Sequence, residues 1–134
     1  DYEEMGEERR LYTHGDGHFK RNPQNVLDWL LELEELGAGE ILLNSVSRDG
    51  MKTGYDLSFL DKAANALNIP IIACGGAGSW EHLAEVLRQT NIDAVAAANI
   101  FHFQDQSVYL ARKYLTSKGL PVRPPSIQKR NRLN

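Results

Sequence analysis

The chain reads "IPIIACGGAGSW" from Ile69 to Trp80. An apolar run stops abruptly at Gly75, Gly76, Ala77 and Gly78, and a helix-forming stretch opens after Ser79. A plain turn needs one glycine or two, so three in four positions ask for a further reason. One reason is steric. Without side chains, the backbone N–H groups at a strand end approach a ligand closely, and the N-terminus of the following helix adds unsatisfied donors and a partial positive charge. Together these features suit a phosphate. The plainer reading is that the glycines only permit a tight strand-to-helix turn.

Two further stretches carry the same pattern. "EILLNSV" (Glu40 to Val46) is a strand with almost no polar alternation, and the "NSVSRDGMKTGYD" that overlaps and follows it carries Asp49-Gly50 and Gly54. "DAVAAAN" (Asp93 to Asn99) is a third strand that closes in small residues. Between and around these strands the apolar spacing predicts helices over Leu57–Leu67, Trp80–Gln89 with a Ser79 cap, and about Asp105–Lys118, ended by Gly119 and Pro121. Upstream, "NPQNVLDWLLELEELG" reads as a helix capped by Asn22, with Pro23 in its first turn and Gly37 just past its end. Its apolar face is Val26, Trp29, Leu30, Leu33 and Leu36. The first twenty residues are polar, with one β-like run, "RRLYTH" (Arg9 to His14), before a Gly-Asp-Gly turn.

Alternating strands and helices with short links specify an α/β fold with a parallel sheet. Apolar strands without alternation agree, because parallel strands are buried on both faces. In such folds ligands gather where the C-terminal ends of strands meet the following helices. Three strand ends prepared in the same manner would make one concave anion site.

At 134 residues, 42% hydrophobic and 25% charged, the chain has the composition of one globular domain, and a net charge of −3 gives no electrostatic reason to expect nucleic acid or an anionic membrane as partner. No apolar run approaches spanning length, the opening residues do not read as a secretory signal, and the single cysteine, Cys74, has no partner for an internal disulfide. These point to the cytoplasm. "RPPSIQKRNRLN" (123–134) reads as a solvated, basic tail behind a domain of residues 1–122. His14, His18 and His82 show no metal-ligand spacing, and neither a metal nor a cofactor is expected.

The stretches "LGAGEILLNSVSRDGMKTGYD", "IPIIACGGAG" and "AAANIFHF" resemble the C-terminal half of the cyclase subunit of imidazole glycerol phosphate synthase, a histidine-biosynthetic (βα)8 barrel. The resemblance covers about Arg10 to Arg123. A cyclase-like paralogue that supplies ammonia for sugar amidation in surface-polysaccharide synthesis is the alternative within that family, on "LNS" and "YTH". The resemblance implies half of a TIM barrel. It implies that Gly50, Gly76, Ala98 and Asn99 hold a substrate phosphate, and that Asp49 lies beside the substrate. Asn44 and Cys74 stand where the family commonly has small hydroxyl residues facing the barrel mouth, and Ser47 replaces an acidic residue. Glu40 matches a glutamate of the charged ring at the ammonia entrance, and a glutaminase is the implied partner.

The family's cyclase chemistry uses two aspartates, on the first and fifth strands. The first belongs to the other half of the barrel. Asp1 matches the second, but at the head of this chain it is expected to be loose. No acid/base pair can therefore be assembled, and no catalytic residue is assigned. The expectation is a phosphate-binding half-barrel, inactive alone, that pairs with a second copy or with a complementary half.

Overall fold

A computed structural model describes residues 1–15, 18–102 and 107–125. Three strands open the chain: β1 (Tyr2–Met5), β2 (Glu8–Gly15) and β3 (His18–Asn25), an antiparallel sheet in that order. There follow α1 (Val26–Glu35), β4 (Ile41–Asn44), α2 (Leu57–Ala66), β5 (Ile71–Cys74), α3 (Trp80–Gln89), β6 (Ala94–Val95), a single turn α4 (Asn99–His102) and α5 (Val108–Ser117). β4, β5 and β6 form a parallel sheet in that order, with Ile41 opposite Ile71 and Ile72 opposite Ala94. The outer helices and parallel strands are those of half a (βα)8 barrel. Among the described residues, no helix is long and apolar enough to cross a membrane.

The antiparallel ribbon replaces the single β-like run expected near the start. It also takes residues that the sequence assigns to α1. Asn22 pairs with Leu11 and Asn25 with Arg10, so the ladder skips Pro23 and Gln24. The reason lies in proline: it has no N–H for a ladder, and it is tolerated on an edge strand at a bulge. The cap therefore passes from Asn22 to Asn25, whose Oδ1 accepts from the N–H of Leu27 at 2.8 Å. Of the expected apolar face of α1, Val26 and Leu30 are buried and Trp29 and Leu33 partly so, but Leu36 is 73% exposed. It is the C-cap residue and has left the helical stripe. β4 begins one residue later than expected, and β6 is two residues long, with Asn99 opening α4 instead of closing the strand. Of the 123–134 tail, the carbonyls of Arg123 and Pro124 accept from Arg112, whereas 126–134 lie outside the described residues.

The two faces of the parallel sheet are unlike. Ile41, Leu43, Ile71 and Ala73 are buried with Phe59, Leu60 and Ala63 of α2 and Leu83, Ala84 and Val86 of α3 in one core. Each large side chain removed from water there contributes about 1.5–3 kcal/mol. The alternate positions are not covered: Leu42 is 58% exposed, and Asn44, Ile72, Cys74 and Ala94 are half-buried.

Tyr2 joins the two sheets. It is 1% exposed, bridges in parallel to Ser45, and its carbonyl accepts from the N–H of Val46 at 2.9 Å. Two ion pairs reinforce this seam. Glu4 on β1 receives Arg48 Nε at 2.6 Å and Nη2 at 3.0 Å, and Asp56, just before α2, receives Arg9 Nε at 2.5 Å and Nη2 at 3.1 Å. Burial pushes the Asp56 carboxyl up, but Arg9's hydrogen bonds and charge outweigh it and hold it below its ordinary value. Such a group contributes stability that is present above the unfolded carboxyl range and is lost as pH falls through the lower folded value. Asp56→Asn is therefore expected to cost about 3 kcal/mol at pH 7, because Arg9 loses its close charge partner and keeps only Glu4 at 3.9 Å. Thermal unfolding followed from pH 7 down to pH 3 should show the gap between wild type and variant closing with acid. A gap that stays constant with pH would show that the ion pair is not its source.

Candidate functional site

The ends of β4, β5 and β6 meet around a cavity of about 200 Å³ lined by Asn44, Asp49, Gly50, Cys74, Gly76, Ala98 and Asn99. Every pocket and phosphate residue expected from the sequence is there. Glu40, expected at the ammonia entrance, lies just before Ile41 at the opposite end of β4, and is exposed. A larger cleft of about 650 Å³ opens elsewhere, between the β2–β3 ribbon and α1 and α2. Its wall mixes Glu7, Glu8, Arg9, Arg10 and Lys62 and includes no residue of the parallel strands, so size does not mark the site.

The segment 45–56 after β4 assembles the cavity by touching both other strand ends. Gly54 N–H donates to the Gly76 carbonyl at 2.9 Å. The buried Tyr55 donates its hydroxyl to the Ala96 carbonyl at 2.8 Å. The packing explains the glycines quoted above. Gly75 and Gly76 adopt φ of +90° and +108°, which side chains other than hydrogen rarely tolerate. A Cβ at Gly76 would stand 2.1 Å from the Gly54 carbonyl oxygen, and one at Gly78 would stand 2.6 Å from Lys52. The glycines thus let two loops lie backbone to backbone. Gly50 is less tightly held, its nearest neighbour being the Asn99 side chain at 3.1 Å from where a Cβ would be.

Asp1, which the resemblance matches to an aspartate of the fifth strand, also lines the cavity. It was expected to be loose for want of a strand. In fact Tyr2–Met5 is a strand, the Asp1 carbonyl accepts from Tyr12 N–H at 2.9 Å, and Asn44 Nδ2 donates to Asp1 Oδ1 at 3.1 Å. Tyr2–Met5 reads Tyr-Glu-Glu-Met, four residues without apolar alternation, and so does not announce a strand. Ser47, which departs from the family's acidic residue, has a local use: its Oγ accepts from Glu4 N–H at 2.8 Å. Cys74 faces the cavity half-buried, and burial, helped by the negative charge of Asp49, pushes its thiol pKa up. It is a poor nucleophile in this setting. His82 holds the turn before its own helix, its Nδ1 accepting from Gly78 N–H at 3.1 Å.

The sequence profile of the family described as "Histidine biosynthesis protein" matches residues 7–107. The chain belongs to that family. Among relatives, the protein called imidazole glycerol phosphate synthase subunit HisF from Pelodictyon phaeoclathratiforme (strain DSM 5477 / BU-1) is 43% identical over 123 residues, which are 92% of this chain and 48% of that protein. The proteins of the same name from Dehalococcoides mccartyi strains ATCC BAA-2100 and CBDB1 are 46% identical over the same length and shares. The chain spans about half the length of the relatives it matches.

The glycine contacts give a direct test. Gly76→Ala is expected to destabilise the fold by more than about 2 kcal/mol, lowering Tm by about 10 °C, because neither backbone can yield. Gly39→Ala, where a Cβ meets nothing within 4 Å, should leave Tm within about 2 °C. Equal melting of the two variants would mean that the loops are not locked together.

Proposed function

We propose that these 134 residues are a phosphate-binding half-barrel of the histidine-biosynthetic cyclase type, inactive alone and completed by a second half. The convergence of three strand ends on one cavity carries the reading. Gly50, Gly76 and Ala98 bring backbone amides to the cavity rim, Asn99 adds a short side chain, and the N-terminus of α3 lies directly beyond the glycine turn. A phosphate ester is the ligand class, held by neutral donors. Asn44, Asp49 and Cys74 flank the rest of the substrate. The relatives' name favours a cyclase of imidazole glycerol phosphate synthesis over the polysaccharide paralogue.

In the completed barrel this half belongs to an ammonia-using cyclase. Ammonia arrives from a glutaminase partner at the end of the sheet where Glu40 stands, and travels toward the strand ends. One proton transfer needs a carboxylate held against the substrate. Asp1 meets that need in this half, which favours the enzyme role for the whole barrel. The second carboxylate comes from the other half, so the chain alone does not turn over. The cytoplasm is its compartment.

The second half is another copy of this chain or a complementary half-barrel. Leu42, Ile72 and Ala94 on the uncovered sheet face are the surface it covers, and β6 offers an edge to it.

Titration of the isotope-labelled protein with inorganic phosphate tests the site. The amide signals of Gly50, Gly76 and Ala98 should shift together and saturate. Gly76 is a poor place to block the site, since its substitution disturbs the fold. Ala98 is exposed, and Ala98→Glu sets a negative charge on the rim. Affinity should fall at least tenfold (about 1.4 kcal/mol). Equal affinity in the two proteins would remove the anion site from this place.

A further inference from the structure

We infer that Asn44 is a positioning residue for Asp1, orienting its carboxylate toward the cavity that both residues line. This rests on the proposed barrel only for the use made of Asp1, not for the contact itself. Asn44 ends β4, opposite Cys74 on β5, with its side chain on the uncovered face of the sheet. Its Nδ2 donates to Asp1 Oδ1 at 3.1 Å, a hydrogen bond strengthened by the acceptor's charge. Asn44 Oδ1 is buried and, among the described residues, is the one buried side-chain atom without a hydrogen-bond partner.

An unpartnered buried acceptor calls for an explanation. A carboxamide can be turned over, exchanging its oxygen and nitrogen. Turned over, it would set a carbonyl oxygen against the Asp1 carboxylate, two acceptors facing each other. The orientation that satisfies Asp1 is therefore the one that strands Oδ1. The fold makes room for this arrangement. A Cβ on Gly75 would lie 3.0 Å from Asn44 Oδ1 and 2.5 Å from the Ser45 carbonyl oxygen, so only glycine leaves space for the stranded end.

The consequence is chemical. With Oδ1 occupied by an N–H, Asp1 keeps one carboxylate oxygen for the cavity and has a fixed direction in which to present it. Proton transfer depends on such alignment, since a side chain that samples several rotamers is rarely in reach. The end of β4 thus carries a side-chain donor directed at the aspartate. The main chain fixes where Asp1 sits, through Tyr12 N–H and the buried Tyr2. Asn44 fixes how its side chain points.

The test reads the rotamer of Asp1 in the ligand-free, 134-residue protein from its three-bond Hα–Hβ couplings. Wild type should give two unequal couplings, the sign of one dominant rotamer. Asn44→Ala should give nearly equal, averaged couplings while the rest of the amide spectrum stays in place. Asn44→Thr, which keeps a donor, should restore the inequality. Asn44→Val provides a second variant without a donor, shaped to suit a strand end, should the alanine variant fail to fold. Averaged couplings in wild type, or unequal ones in both donor-free variants, would overturn the assignment. Because no ligand is present, failure of phosphate binding and failure of this contact are separate results.

Discussion

Water and a parallel sheet are compatible only when both faces of the sheet are covered, because parallel strands carry apolar side chains on both sides. In this chain β4 and β5 satisfy the condition on one side. Ile41, Leu43, Ile71 and Ala73 are sealed beneath the helices, whereas Leu42, Ile72 and Cys74 on the other face meet solvent to varying degrees. The same alternation decides the chemistry. A strand end that places Asn44 or Cys74 on the uncovered face places it in the cavity, so the site and the uncovered apolar surface are two parts of one surface. What completes the barrel also completes the pocket.

The segment 45–56 then translates the sheet into a site. It leaves β4, is clasped to β1 by Arg48 and Glu4, lies on the glycine turn after β5, and reaches the end of β6 through Tyr55. The glycines serve this assembly before they serve any ligand. Close backbone packing brings the strand ends together, and amides free of side chains at the rim are its by-product. The antiparallel ribbon has a comparable double use: its Tyr2 extends the parallel sheet past β4, and thereby carries Asp1 to the cavity wall.

Much of this was legible in the sequence, for identifiable reasons. α2 and α3 emerge almost residue for residue because Leu60, Ala63, Leu83 and Val86 repeat with helical spacing between glycine and proline breaks. Gly50, Gly76, Ala98 and Asn99 emerge because glycines and small residues follow each strand, whereas Asn44, Asp49 and Cys74 emerge only through the resemblance to the family. The ribbon did not. Tyr-Glu-Glu-Met in β1 and the polar sequence of β2 and β3 offer no apolar alternation to announce them, and Pro23 beside Asn22 imitates a helix start while sitting at a bulge. Nor was the clasp readable, since Glu4 and Arg48 are far apart in sequence and look like two ordinary surface charges. The anchoring of Asp1 depends on both of these features, and so escaped the sequence reading with them.

That an uncovered sheet face requires a second half is the central claim, and sedimentation equilibrium of the 134-residue protein tests it most directly. At concentrations on the order of tens of micromolar, where a modest interface is populated, wild type should sediment as a dimer or larger assembly. Ile72→Glu, which sets a charge in the middle of the uncovered face, should sediment as a folded monomer, because burying that charge without a partner is too costly. A wild-type protein that remains monomeric throughout this range would contradict the account.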